Sequence, residues 1–302
     1  MGVPGNASPE LSQDPCSASA APGTGTGHIN EPRTIPAGAA LLSYEDVGSG
    51  DPFVLLHAGV ADRRMWEQQV PVFAAGYRVI SYDLRGYGNS TLPEEPYAPH
   101  DDLRAMLDGL DISRAHILGV SMGGTVALEF AIAYPERLAS LIVCGATPGG
   151  TSATPDIRSG WEAVDALLEA GKVDEAIELE LRMWVDGPFR TPEQVDPGVR
   201  ERVREMEVLA FARALAEPEP EERRLEPPAT GRLREIQSPT LILVGDLDYP
   251  QKVDVAATMA AEIAGARLAV IPGTAHVPNM EEPEVFNRLV LDFLNGVGTT
   301  LP

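Results

Sequence analysis

The sequence predicts an α/β fold: a mostly parallel central sheet flanked by helices, with a helical cap inserted into it. Three observations carry this. Short, almost wholly apolar runs (PFVLLHAG, AHILGV, LASLIVCGA, SPTLILVGD) alternate with segments of helical periodicity, and strands covered on both faces read as such runs. The alternation stops over residues 150–235. There GWEAVDALLEAG, KVDEAIELELRMWVDG and VRERVREMEVLAFARAL are helical in pattern and no convincing strand occurs. Finally, the apolar run ending at Gly119 leads through Ser121 and Gly123 into the helix-like segment TVALEFAIAYPER. That is the G-x-S-x-G pattern in a strand–turn–helix context.

The elements follow in order. Residues 1–33, rich in Gly, Pro, Ser, Ala and Thr without periodicity, read as a disordered leader. The first part of the core is expected over 34–149. AALLSYEDVG is its first strand, GSGD a hairpin-type turn, and PFVLLHAG a covered strand. RMWEQQVPVFAAG reads as a helix, YRVISYD as a strand, LRGYGNS as a turn and residues 98–110 as a helix. AHILGV delivers Ser121, and LASLIVCGA is the next strand. The cap is expected over 150–235. The second part of the core, 236–302, holds SPTLILVGD, a helix at 253–263, the strand ARLAVIPG and a last helix from Pro283 to Leu294, with GTTLP fraying.

Composition narrows the function. The 302 residues are 44% hydrophobic, enough for one large core with an inserted small domain. Forty-five acidic against 23 basic residues give a formal charge of -22, which argues against nucleic acid and anionic membranes as partners. Cys16 lies in the leader and Cys144 in an apolar run, so a disulfide framework is not expected. No apolar run reaches the ~18–20 residues that span a bilayer. The N-terminus lacks a basic start and an apolar h-region. A cytoplasmic protein is the expectation, monomer or dimer, needing no cofactor and no metal.

The chemistry centres on Ser121. A serine hydroxyl is a weak nucleophile at neutral pH and needs a base beside it. Of the five histidines, His28 is in the leader, His100 in a polar loop and His116 at the start of a strand. His57 and His276 follow apolar strands, where active-site groups of α/β sheets gather. His276, in the loop PGTAHVPNMEEP, is the expected base. The base needs an acid to hold its tautomer. Asp246 and Asp248 in LVGDLDYP are the candidates. Asp248, further into the loop, is favoured, while Asp246 is expected to tie down the turn. The oxyanion needs two donors. The Met122 N–H is one, and the second belongs to the loop after PFVLLHAG, with Gly59 preferred over Ala58. His57 is expected to fix that loop.

These residues resemble an α/β-hydrolase of the esterase, lactonase and cofactor-free haloperoxidase type, including proteins like 3-oxoadipate enol-lactone hydrolase. LLHAGVADRRMW stands at the oxyanion loop, YDLRGYGNS is similar to the family's D-x-R-G-x-G-x-S turn, and GVSMGG to its elbow. GDLD and GTAH stand at the acid and base sites, and the chain order Ser121, Asp248, His276 is that of the family. The resemblance covers about residues 36–296. It implies Ser121 as nucleophile, Asp248 as acid, His276 as base, and Gly59 and Met122 as oxyanion donors. Ala58 departs from the usual glycine. Asp83, Arg85 and Ser90 are expected to brace their turn.

In the cap, Trp184 and Phe189 flank DGP and are expected to line the pocket, with Trp66 opposite. Arg182 and Arg190 are expected in surface ion pairs. A mainly apolar pocket of this kind suits a medium-sized neutral ester or lactone. The expected function is a carboxylic ester hydrolase with an acyl-enzyme intermediate. The alternatives are a lactonase such as an enol-lactone hydrolase, or a triad-retaining ligand-binding protein with slow turnover.

Overall fold

A computed structural model describes residues 33–216 and 220–297. Residues 1–32 of the expected leader, with Cys16, lie outside the described residues, as does GTTLP. Among the described residues eight strands form one sheet: β1 (Arg33–Ala37), β2 (Ala40–Gly48), β3 (Asp51–Leu56), β4 (Tyr77–Tyr82), β5 (Ala115–Val120), β6 (Leu138–Cys144), β7 (Thr240–Gly245) and β8 (Arg267–Ile271). Their spatial order is β1-β2-β4-β3-β5-β6-β7-β8. Pairing is antiparallel for β1–β2 and β2–β4 and parallel from β4 through β8. The order reverses beside β3 and β5, so the crevice at their carboxyl ends is where a ligand site belongs.

The helices cover both faces. They are α1 (Val70–Phe73), α2 (Pro99–Gly109), α3 (Met122–Ala133), α4 (Pro155–Glu169), α5 (Val173–Glu180), α6 (Pro197–Ala214), α7 (Pro250–Glu262), α8 (Pro278–Glu281) and α9 (Pro283–Val297). The strands alternate between two cores. Leu118, Val120, Ile142 and Cys144 pack on one face, while Ile117, Leu141 and Val143 pack on the other. That period of two gives each central strand two apolar faces, hence the unbroken apolar runs. Between β6 and β7 the described elements are helical: α4, α5, α6, a π-helical turn at Leu181–Asp186 and short 3-10 turns. This is the inserted cap.

Two expectations about local structure are corrected. GSGD is no hairpin, since β2 pairs with β4 and not with β3. The doubly apolar β3 takes a central place between β4 and β5, leaving β2 to the outer edge of β4. The hairpin is instead β1–β2, turned at Gly38 with φ 60°. RMWEQQVPVFAAG is not one helix but a 3-10 turn, Arg63–Trp66, followed by the single turn α1. Pro71 lacks the N–H that an unbroken helix would need there.

The tightest packing lies where β5 turns into α3. A Cβ on Gly119 would sit 2.3 Å from the Gly123 carbonyl oxygen, and one on Gly123 would sit 2.4 Å from that of Leu56. Both obstacles are backbone and cannot rotate away. Gly76, by contrast, has nothing within 4 Å of the same position. We therefore expect Gly119→Ala and Gly123→Ala to lose about 1–3 kcal/mol or more of stability and Gly76→Ala to stay near wild type. Urea unfolding of the three variants checks this.

Candidate active site

Ser121 sits on the turn between β5 and α3 with φ 50° and ψ −113°, a left-handed conformation that a side chain seldom adopts. Its N–H donates to the Cys144 carbonyl at 2.8 Å, and the Gly123 N–H donates to that of His57 at 3.1 Å. The turn is thus stitched to the ends of β6 and β3. The hydroxyl that projects from it meets His276 Nε2 at 2.7 Å.

His276 lies in the loop between β8 and α8, and its Nδ1 is 2.7 Å from Asp248 Oδ2. The second oxygen of Asp248 accepts the Tyr249 N–H at 2.7 Å. Both side chains are almost wholly buried. A carboxylate on Nδ1 fixes the proton there and leaves Nε2 to accept from the serine hydroxyl. Asp246 turns the other way and accepts the Gly273 N–H at 2.7 Å. It ties the loop after β7 to that after β8.

The loop after β3 approaches the same point. The Ala58 N–H is taken by Met65 Sδ at 3.3 Å. Gly59 lies against Met122, since a Cβ on it would be 3.8 Å from Met122 Sδ. His57 is fully buried and holds this loop. Its Nδ1 bonds the Ala58 carbonyl at 2.8 Å, and its Nε2 accepts the Leu84 N–H at 2.9 Å. Burial pushes its pKa below the ordinary histidine value, which keeps the ring neutral.

The turn after β4 is braced from two sides. Asp83 accepts the N–H groups of Arg63 and Asn89 at 2.9 and 2.8 Å and pairs with the Arg63 guanidinium. Arg85 forms a two-pronged pair with Asp102 at 2.9 and 2.7 Å. Ser90 Oγ donates to the Asp83 carbonyl at 2.6 Å. Arg190 pairs with Glu281 at 2.6 Å, and Arg182 with Glu178 at 3.4 Å. Among the described residues no group of three His, Cys, Asp or Glu could hold a metal ion, and no helix is long and apolar enough to cross a membrane.

A cavity of about 510 Å3 opens above Ser121 and His276 under the cap. Trp184 lines it, with its ring centroid 4.6 Å from that of His276. The π-helical turn that carries Trp184 ends at Gly187, φ 72°, where a Cβ would lie 2.7 Å from the Leu247 carbonyl oxygen. Two expected pocket residues lie elsewhere. Trp66 is fully buried in the core, packed on Phe286 of α9 at 6.5 Å, because the 3-10 turn aims it beneath the sheet rather than at the cavity. Phe189 is 59% exposed. Its neighbour Arg190 turns inward to Glu281 and to the carbonyls of Asp186 and Val185, which leaves Phe189 facing solvent.

Sequence reasoning missed Glu180 and Glu207, both on the cavity wall. The signal was present in α6. Val199, Val203 and Met206 mark its buried stripe, and Glu207 falls on that stripe eight residues after Val199. Burial raises the Glu180 pKa to about 7. It pushes that of Glu207 well above the carboxylate range, helped by repulsion from Glu180.

With this geometry in hand, comparison with known proteins gives the family. Residues 53–289 match the alpha/beta hydrolase family. The chain is similar to a 2-hydroxy-6-oxononadienedioate/2-hydroxy-6-oxononatrienedioate hydrolase of Pseudomonas putida, with 33% identity over 84% of this chain and 91% of the relative. It also resembles the solved thermophilic esterase of Thermogutta terrifontis, with 28% identity and a TM-score of 0.72 over 89% of this chain and 100% of the other. A hydrolase of Pseudomonas aeruginosa PA01 matches with 29% identity and a TM-score of 0.72, covering 88% and 99%. The chain belongs to the α/β-hydrolase superfamily, in its esterase- and lactonase-like branch. It is a hydrolytic enzyme of the serine-hydrolase type.

The acid on the wall affects stability. The folded Glu180 keeps its proton up to about pH 7, whereas an unfolded one loses it near the ordinary carboxylate value. Between those values the folded state binds more protons, so this residue's contribution is full at low pH and lost as pH rises. Glu180→Gln should therefore gain on the order of 2–3 kcal/mol over wild type between pH 5 and pH 8. Urea unfolding at the two pH values checks it, and an equal difference at both refutes it.

Proposed function

We propose that the chain hydrolyses small carboxylic esters through an acyl-enzyme on Ser121, with cyclic esters of the enol-lactone kind as favoured substrates. The observation that carries this is the hydrogen-bonded line Ser121–His276–Asp248, with both links at 2.7 Å, at the floor of a closed-over cavity. His276 takes the hydroxyl proton as Ser121 Oγ attacks the carbonyl carbon. Asp248 holds the imidazole in the useful tautomer and stabilises its cation. The oxygen of the tetrahedral intermediate faces the Gly59 and Met122 N–H groups, the latter at the positive end of α3. His276 then protonates the leaving alkoxide and the C–O bond breaks. Water, deprotonated by the same ring, attacks the acyl carbon and releases the carboxylate from Ser121.

Two considerations favour the lactone form. In a lactone the leaving hydroxyl stays attached to the acyl chain, so substrate and first product are one compact body suited to a covered cavity. The Pseudomonas putida relative is named for an enolic oxo acid rather than a simple ester. That relative also favours a second reading, hydrolysis of a hydroxy-oxo-dienoate.

A fluorophosphonate should add covalently to Ser121, and Ser121→Ala should abolish both labelling and turnover of short p-nitrophenyl esters and small lactones. Persistent turnover would sink the proposal. Stoichiometric acylation without steady turnover would point to a binding protein instead.

Asp248→Asn should lower kcat by about 10⁴, the scale seen when the tautomer is lost. Asp246→Asn should cost far less, because its carboxylate holds a backbone N–H and not the imidazole. The ratio of kcat values for the two variants checks the assignment, and the reverse order overturns it.

A further inference from the structure

The cavity holds more carboxyl groups than cations to match them. Among the described residues three cationic side chains line it, and each has partners in the protein. Arg85 is held by Asp102. Arg224 pairs with Glu222 and stands 3.6 Å from Glu129. Lys252 donates to Thr147 Oγ1 at 2.9 Å, with its ammonium 5.6 Å from the Trp184 ring centre. Glu180 and Glu207 remain. Among the described residues neither lies in an ion pair, and no cation figures among the groups that act on their charge. Glu207 is 2% exposed yet lines the cavity, and no hydrogen bond from the described protein satisfies its carboxyl group. A buried carboxyl without a partner is costly, and the space it faces is the one a ligand would fill.

The surroundings say which ligand. Trp161, Trp184, Tyr87 and Phe211 line the same cavity. Aromatic faces attract cations and do so more strongly when water is excluded. Two carboxyls without counter-ions, set among aromatic rings, offer a carboxylate no cation to pair with and, once ionised, accept an ammonium.

We propose that Glu180 and Glu207 form a subsite for a cationic amine carried by the substrate. The inference rests on the reading of this cavity as the site of ester hydrolysis. An ammonium N–H donates to the two carboxylates, and its alkyl groups lie on the rings of Trp184 and Phe211. Without an amine, burial and mutual repulsion keep protons on the pair. Amine binding therefore strengthens as pH rises from 5 to 8, across the Glu180 pKa of about 7, while a tertiary amine stays protonated. Other titratable groups stand around the pair: Asp165 of α4, Tyr87 after β4 and Tyr249 interact with it, and Tyr97, Glu222, Lys252 and His276 line the same cavity. Both esters meet the same Ser121 and His276, so a ratio between them cancels what that pair contributes.

The test compares 4-nitrophenyl esters of ω-(dimethylamino)alkanoic acids, in a series of chain lengths, with isosteres in which CH replaces the amine nitrogen. At the best length the amine ester should exceed its isostere in kcat/KM by about tenfold or more. The advantage should grow between pH 5 and pH 8 and shrink to near parity in Glu180→Gln/Glu207→Gln. In parallel, calorimetry on Ser121→Ala measures binding of the same pairs without chemistry. Turnover of both esters with no preference at any length overturns the subsite and leaves the hydrolase reading intact. Preferential amine binding to Ser121→Ala, with no turnover by the wild type, overturns the hydrolase reading and supports the subsite. Equal gains from a terminal hydroxyl and a terminal amine overturn the cationic assignment. So does a preference that survives in the double variant.

Discussion

Everything at the site depends on one constraint: Ser121 is held at φ 50° and ψ −113°. A conformation of this kind costs about 1–3 kcal/mol and persists only where the surroundings over-determine it. Here they do. The turn is crowded on every side, with Gly119 packed on the Gly123 backbone, Gly123 on the backbone of Leu56 and His57, and Gly124 on the Ala146 methyl. Its amides bond to the ends of the flanking strands β6 and β3. Because the Gly123 N–H donates to the His57 carbonyl, the nucleophile turn and the loop bearing Gly59 share one anchor. The two N–H groups proposed for the oxyanion, those of Gly59 and Met122, are thereby fixed relative to the Ser121 hydroxyl.

Asp248 and His276 reach this anchor from the loops after β7 and β8, across β6. A Cβ on Gly245, at the end of β7, would lie 2.3 Å from the carbonyl oxygens of Thr274 and Ala275. The loops carrying Asp248 and His276 are thus in backbone contact. The cap is locked to the same pair. Gly187 packs on Leu247, and Arg190 bonds the Gly273 carbonyl and pairs with Glu281, which accepts the Ala275 N–H. Breaking a buried pair by removing one member leaves an uncompensated charge. The Arg190–Glu281 pair therefore couples cap position to base position. Trp184, stacked on His276 from the turn just before it, belongs to both.

The parts legible in the sequence were those governed by backbone sterics and by period. Gly119 and Gly123 around Ser121 announced a turn that no side chain fits. The doubly apolar runs announced covered parallel strands, and Asp248 and Asp246, two residues apart, do point apart. The illegible parts depend on where a short irregular segment aims a side chain. Trp66 stands on a 3-10 turn with no period to read, and it went to the core beneath α9. Phe189 and Arg190 are adjacent, and only the partner Glu281, 91 positions away, decides which turns inward. GSGD looks like a hairpin because local turn chemistry cannot report that β3 has a better partner in β5.

Glu207 differs from these cases, because its position was readable and its chemistry was not. On the buried stripe of α6 a leucine would add apolar contact with no desolvation cost, whereas a carboxyl there loses water and gains no protein partner. Local rules and global fold agree along the rest of that stripe, from Val199 to Met206. A single violation inside an otherwise consistent element marks a place where stability has yielded to function. The overall charge of -22 does not explain it, since most acids serve that charge from exposed positions and this one is buried. What the violation shares with Ser121 is the cavity between them. The strain in the turn and the buried carboxyl on the cap both make sense when a substrate joins them.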